Sequence, residues 1–449
     1  MPAPHAPAAM TADATADTLE DAYIYAYPLV LMDVIREMTT NTEVPTGVRA
    51  PLGQFFHSRA LASPSIDSLT RPNADTLYSQ AYLDLGDEPY LLHKPAANRY
   101  LAIQPFDGYS NNPSILGTGG PGGDDEAVYA FTGPRFVGSL PDGVIPVPMP
   151  TDFVWLLARV RCHGPDDTAG PHRLQDAMDL YPLSQHGRAH EYPRGVYTPA
   201  RDYVPLEHML TLDAEAYFRR FNALSVRNPG TDADRPALER FAQVGVGAGL
   251  DFSVEALPEE AQRRAKELPG LMDSTRIDAL RRAIVVDGWT YLDSAVGRFG
   301  TDYTYRARIA HRGFANPVDV TAYPSAFTDS DGEPLTGESS YVMHFPAGQH
   351  PPYHEGGWWS LTPYTKAGRL VANDIDRYAL DDSMPLTVNA DGSLDLWLSA
   401  DAPDAERMPN WLPVCRSEFG LTMRIYLPHD SVTTHEWTPP QVRRIDASR

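Results

Sequence analysis

From Thr18 onward apolar side chains recur at threes and fours: Leu19, Ala22, Tyr23, Tyr25, Ala26, Leu29, Val30, Met32, Val34 and Ile35. That spacing predicts a helix with one broad apolar face. Asp17 or Thr18 can cap it, and Glu20 and Asp21 suit its first turn. Pro28 removes a backbone donor, so a kink or a break is expected there. Residues 1–15 are rich in Ala, Pro and Thr and read as disordered.

The pattern changes between residues 60 and 160. Short apolar runs (Thr76 to Leu85, Tyr100 to Pro105, Ala127 to Thr132, Phe153 to Val160) alternate with breakers such as Phe106-Asp107-Gly108 and Gly117 to Gly123. This predicts the strands of a sandwich or barrel. Residues 172–300 return to a helical pattern, with segments predicted over Leu174 to Leu180, Asp213 to Val226, Arg235 to Val244, Pro258 to Leu268 and Ser274 to Val296. Strands resume from Arg306, most clearly at Ser340 to Phe345, Trp359 to Tyr364, Leu394 to Leu398 and Leu421 to Tyr426, with Asp-Gly turns between them. The expected organisation is a disordered 1–15, an N-terminal helix and first β unit over 16–182, a helical linking region over 183–305, and a second β unit over 306–449. No short sequence repeat stands out.

Composition narrows the function. The chain has 449 residues and a formal net charge of −22, which repels phosphate backbones and anionic lipid. Nucleic-acid and membrane partners are therefore not expected. Cys162 and Cys415 are the two cysteines, too few for a disulfide framework. No apolar run approaches a membrane span, and the N-terminus lacks the basic and apolar regions of a secretory signal, so a cytoplasmic protein is expected. Proline, at 42 residues, is in excess and favours many turn-bounded strands over an all-helical chain.

The motifs resemble the bacterial family that pairs domain of unknown function 1254 with domain of unknown function 1214. The N-terminal likeness rests on Arg71-Pro-Asn-Ala-Asp-Thr-Leu-Tyr-Ser79, Phe106-Asp-Gly-Tyr-Ser-Asn111, Tyr129-Ala-Phe-Thr-Gly133 and the Trp155, Arg159, Gly164-Pro-Asp-Asp167 run. The C-terminal likeness rests on Tyr341-Val-Met-His-Phe345, Trp359-Ser-Leu-Thr-Pro-Tyr364, Asn389-Ala-Asp-Gly-Ser-Leu-Asp395, Asn410-Trp-Leu-Pro413 and Trp437-Thr-Pro-Pro440. The resemblance implies a mainly β fold with a helical middle, two jelly-roll-like β-sandwiches side by side, and an assembly compatible with homotrimers. It implies no activity. One segment departs from the family pattern: the turn before Trp359 is longer here and gains His350, His354 and Glu355.

Those three residues, with His344 on the preceding strand, can supply acid–base chemistry near neutral pH or a divalent-metal set of two histidines and a carboxylate; a wet turn with ordinary surface histidines is the plainer alternative. Within 71–79, Asp75 is a candidate base, Tyr78 a candidate acid and Arg71 a carboxylate clamp, against the alternative of an Asx-turn that positions a strand. Asp107 and Tyr109 follow a strand, where sites often sit. Trp155 and Arg159 share a strand face and could wall a pocket, with Arg159 stacking on Trp155 or pairing with Asp75. Trp358, Trp359 and Arg377 make the second half suited to an aromatic or apolar ligand. The glycine run at 117–123 lacks the Lys-Ser/Thr of a phosphate loop, no G-x-S-x-G occurs, and no nucleotide or flavin cofactor is expected. Three readings stay open: a small-molecule enzyme using acid–base or metal-assisted non-redox chemistry, a capsid-like scaffold, or a non-catalytic ligand carrier.

Overall fold

The computed structural model describes residues 11–65, 71–164, 166–274, 277 and 284–445. Its first element is a single helix, Ala12–Thr39, capped by the Thr11 side chain, which accepts from the Ala14 amide. It starts nearly two turns ahead of the predicted cap, so residues 12–15 are helical rather than disordered. It also runs through Pro28 without a break. The helix is buried on nearly every side because the helices Ala214–Ser225, Glu259–Ala265 and Tyr303–Arg312 pack around it. Tyr217, for example, donates to the Tyr23 carbonyl at 2.9 Å and stacks on the Tyr23 ring at 4.3 Å.

The helical middle is smaller than its periodicity suggested. Leu174 to Leu180 divides into the end of helix Ala169–Ala177 and the start of strand Asp179–Pro182. The segment predicted as helix over 274–296 holds a hairpin, Ile284–Val286 with Trp289–Tyr291; residues 275, 276 and 278–283 lie outside the described residues. Its turn, Asp287-Gly288, carries positive φ at both positions, the backbone a two-residue hairpin requires. Conversely, Tyr303–Arg312 is a helix where strands were expected from residue 306. Helix and strand thus occur in comparable amounts, which makes the fold mixed rather than mainly β.

Each β unit is two sheets closed on one apolar core. In the first, a five-stranded sheet runs in the order Phe56–His57, Thr76–Asp84, Phe153–Arg161, Leu101–Asp107, Leu116–Gly117. It packs on a four-stranded sheet ordered Ile145–Pro148, Ala127–Thr132, Tyr90–Lys94, Asp179–Pro182, through residues such as Leu83, Leu92, Ile103, Phe131 and Leu156. In the second, Ser325–Ala326, Phe419–Pro428, Tyr353–Thr365 and Leu380–Asp381 are consecutive in one sheet, extended by the 284–291 hairpin. The facing sheet is ordered Trp411–Pro413, Leu394–Ser399, Ser340–Phe345, Arg443–Ile445.

These orders are the same order twice. Thr76–Asp84, Phe153–Arg161, Leu101–Asp107 and Leu116–Gly117 correspond in turn to Ser325–Ala326, Phe419–Pro428, Tyr353–Thr365 and Leu380–Asp381. The facing sheets match as well, down to the one parallel pairing each contains, Ala127–Thr132 with Ile145–Pro148 and Leu394–Ser399 with Trp411–Pro413.

Candidate functional site

Alternation along a strand sends every second side chain to the face away from the sandwich core. In the first half, pairing places Thr76 opposite Arg161, Tyr78 opposite Arg159, and Arg159 opposite Ala102. In the second, Trp358 lies opposite Tyr426, Ser360 opposite Arg424, and Thr362 opposite Thr422. These outer faces meet. Asn73 donates to the Tyr426 hydroxyl at 2.5 Å, Tyr364 to the Pro72 carbonyl at 2.6 Å, and Arg424 to the Arg71 carbonyl at 3.1 Å.

The layer between the sandwiches is polar and buried. Asp75 is 4% exposed and Arg424 5%, and the side chains of Gln104, Ser360 and Thr362 are fully covered. Arg424 donates to the Tyr364 hydroxyl at 2.7 Å and to Thr362 at 3.2 Å. Arg161 pairs with Asp382 and lies 4.4 Å over the Trp358 ring, which itself stacks on Tyr426 at 4.1 Å. Neither oxygen of Asp75 has a partner in hydrogen-bonding geometry among the described residues, nor do Ser360 Oγ, Tyr100 Oη, Gln104 Nε2 or Trp358 Nε1. Unpaired buried polar atoms are costly, and several on one interface mark a place built to meet something polar.

Burial raises the Asp75 carboxyl to about 6, against the pull of Arg424, Ser360 and Arg161, while Asp381 adds to the rise. Ser360 is thus close enough to favour the ionised form without making a well-formed hydrogen bond. A carboxyl in that range can both take and give a proton near neutral pH. Its position is fixed by Asn73, whose side chain accepts from the Asp75 amide at 2.8 Å, and by the Asp75 carbonyl, which accepts from the Cys162 amide at 2.9 Å.

Of the residues singled out from the sequence, the structure brings Arg71, Asp75, Tyr78, Arg159 and Trp358 to this layer. Arg71 reaches Thr422 at 3.0 Å and lies over Phe327 at 4.8 Å. Arg159 does not stack on Trp155 or pair with Asp75. Its guanidinium lies 5.4 Å over the Tyr78 ring and donates to Gln104. Trp155 stands further along the same face, packed with Phe106, Tyr82 and Phe314 and donating to Gln80. Trp359 points the other way, into the second sandwich core.

Other candidates lie elsewhere. Asp107 accepts from the amides of Tyr109 and Asn111 and from the Asn111 side chain, an Asx-turn closing its own loop. Tyr109 donates to the Asn228 carbonyl in the helical layer. Arg377 ties its loop to the carbonyls of Met408 and Trp411. His344 bonds Asp395 at 2.7 Å beside the 389–392 turn. His350, His354 and Glu355 are exposed. The last two begin a strand rather than extend a loop, and the His354 ring lies 4.5 Å from His429. Among the described residues no three His, Cys, Asp or Glu side chains are arranged to hold a metal ion, so His350, His354 and Glu355 do not form the ligand set their spacing suggested.

Sequence inspection passed over Tyr100, Gln104, Tyr323, Ser360, Arg424 and Tyr426. A signal for them exists. Aligned by strand register, Tyr100-Leu-Ala-Ile-Gln-Pro-Phe106 corresponds to Trp358-Trp-Ser-Leu-Thr-Pro-Tyr364. Leu156-Leu-Ala-Arg-Val160 corresponds to Leu421-Thr-Met-Arg-Ile425, and Thr76-Leu-Tyr78 to Thr321-Ala-Tyr323. Arg159 and Arg424 are therefore the same position in two copies of one unit.

No helix among the described residues is long and apolar enough to cross a membrane. No curated protein matches the chain. The fold is similar to that of the VPA0106 protein from Vibrio parahaemolyticus, at 22% identity and a TM-score of 0.70 over 96% of this chain and 100% of that one. A protein from Burkholderia cenocepacia aligns at 14% identity and a TM-score of 0.45 over 96% and 94% of the two chains. The family model for proteins of unknown function DUF1254 matches residues 52–182, and that for DUF1214 matches residues 320–430. The two models fall on the two sandwiches in the expected order, and the chain belongs to the family that pairs these domains.

Proposed function

We propose that the chain is a small-molecule enzyme working by general acid–base chemistry in the layer between its two sandwiches, with Asp75 as the proton-transferring group. The observation that carries this reading is the buried Asp75 carboxyl, with neither oxygen paired among the described residues, in a layer that holds further unpaired polar atoms from both halves. A purely structural ion cluster would satisfy its members, because a half-satisfied buried network is worse than an apolar one. Arg424, Ser360 and Arg161 favour the negative form of Asp75, Asn73 positions its backbone, and Arg71 and Tyr78 border the same layer. In architectural terms we take each half as a shortened jelly roll, since each closes two sheets on one apolar core and the two halves repeat one strand order.

The test incubates wild-type protein and Asp75→Asn with a bacterial small-molecule extract and follows every species by mass spectrometry. A species consumed by the wild type and spared by D75N supports the reading. A species consumed equally by both moves the chemistry away from Asp75. Material retained by both proteins and altered by neither makes the protein a carrier.

A further inference from the structure

Arg159 is 8% exposed, and its guanidinium stays charged at any physiological pH. A buried cation needs a counter-charge, or the cost of leaving water goes unrecovered. Around it stand the rings of Tyr78, Tyr100, Tyr323 and Tyr426, and among the described residues its one side-chain hydrogen bond runs from Nη1 to Gln104 Oε1. Among the described residues no carboxylate pairs with it.

The duplicated unit shows what is missing. Arg424, the matching arginine, has Asp75 beside it in addition to Thr362, which occupies the position of Gln104. Asp75 precedes Thr76, and the residue preceding the matching Thr321 is Val320. The first half thus lends an acid to the second half's arginine, and the second half lends a valine in return.

Resting on the inter-sandwich site proposed above, we infer that Arg159 is the anchor for the carboxylate of a small planar or aromatic acid. The ligand supplies the charge that Val320 withholds. Its body would lie along the strip of the first outer face that no element fully covers. At one end of that face Trp155 and its neighbours are sealed by Met32 and Phe314; at the other, Tyr100 and Ala102 are sealed by Trp358 and Tyr426. Between them Tyr78, Gln80 and Tyr323 remain partly exposed, so the ligand's body would enter between aromatic side chains. A carboxylate fits better than a phosphate dianion. One arginine with phenol and amide donors matches a single charge, and the −22 net charge of the chain opposes a second.

The probes are sodium benzoate and its neutral isostere benzamide, measured by titration calorimetry and thermal melting on wild type, Arg159→Met, Arg159→Lys and D75N. Benzoate should bind the wild type and raise its melting temperature, with benzamide about tenfold weaker or worse, the loss of a charge-assisted contact. R159M should lose that preference yet melt within a few degrees of the wild type without ligand, since the Gln104 hydrogen bond is lost but no protein ion pair is removed. R159K should keep part of the preference, and D75N should keep all of it. Equal binding of the two probes, no benzoate effect on the wild type, or unchanged selectivity in R159M would each overturn the inference. So would R159M melting well below the wild type, which would make Arg159 a structural clamp. Anion selectivity with undiminished turnover in D75N would instead overturn only the acid–base reading.

Discussion

Replacing Asp75 by Asn separates a functional carboxyl from a structural one. The folded protein holds the proton of Asp75 up to about pH 6, while the unfolded chain releases it near 4. Between those values the native state binds more protons, so stability must fall as pH rises through the window. Above pH 6 the full cost of ionising a desolvated carboxyl is present. At ~1.4 kcal/mol for each tenfold change in proton affinity, that cost is about 3 kcal/mol. Asn has nearly the shape of the protonated acid and carries no charge, so D75N escapes it. Chemical denaturation of both proteins from pH 4 to 8 should give curves that coincide at the acid end and separate from about pH 4 to 6. At pH 7 the variant should be the more stable, by up to about 3 kcal/mol. If D75N is instead the less stable protein at pH 7, the carboxylate is ionised and held by Arg424 and Arg161 as an ordinary buried ion pair. The stability argument and the proposed proton transfer would then fail together.

Three further outcomes follow from the same packing. Burial, with Arg59 nearby, lowers the His57 imidazole to about 4; the unfolded chain therefore takes up its proton first, and stability should drop by about 3 kcal/mol as pH falls from 6.5 to 4. His57→Gln should flatten that limb of the denaturation profile, which runs opposite to the Asp75 effect. Asp33 is buried between Arg36 and Arg220, each at 2.5 Å, and Arg220 also holds Glu37 at 2.6 Å, so Asp33→Ala strips Arg36 of its carboxylate, leaves Arg220 with Glu37 alone, and should cost about 2 kcal/mol by urea midpoint; a loss below about 0.5 kcal/mol would mean that Arg36 turns out to water and Glu37 suffices for Arg220. Gly117 holds φ +81°, and an added Cβ would stand 2.3 Å from the Leu101 carbonyl; Gly117→Ala should cost about 2 kcal/mol in the same assay, and a neutral result would show that the turn relaxes.

The order of β and helical regions, the long first helix and most strands were legible because each is set by a local repeat of apolar residues. Errors arose where local pattern and packing disagree. The 284–291 hairpin carries an Asp-Gly turn signal, but its Ile-Val-Val and Trp-Thr-Tyr runs continue a helical spacing, and a place at the edge of the second sheet decides the matter. Helix Tyr303–Arg312 forms where strands were expected because it has Asp302 to cap it and the first helix to pack on. The histidines of the 350–355 segment drew attention as uncommon, reactive residues. Chemical type alone does not bring side chains together, and the chain leaves them in solvent.

What the sequence determined by itself is which face each side chain takes once its strand forms. A period of two puts Tyr78, Arg159 and Gln104 on one side and Leu77, Val160 and Ile103 on the other, whatever the neighbours. It likewise holds the doubled pattern of Arg159 and Arg424, unseen until strand register aligned the halves. Only the tertiary structure decided that these two faces meet and that Asp75 falls beside Arg424 and not beside Arg159. That pairing joins segments far apart in the chain, where no local energy term sets the register. It is fixed by the closing of two apolar cores and the layer they trap between them.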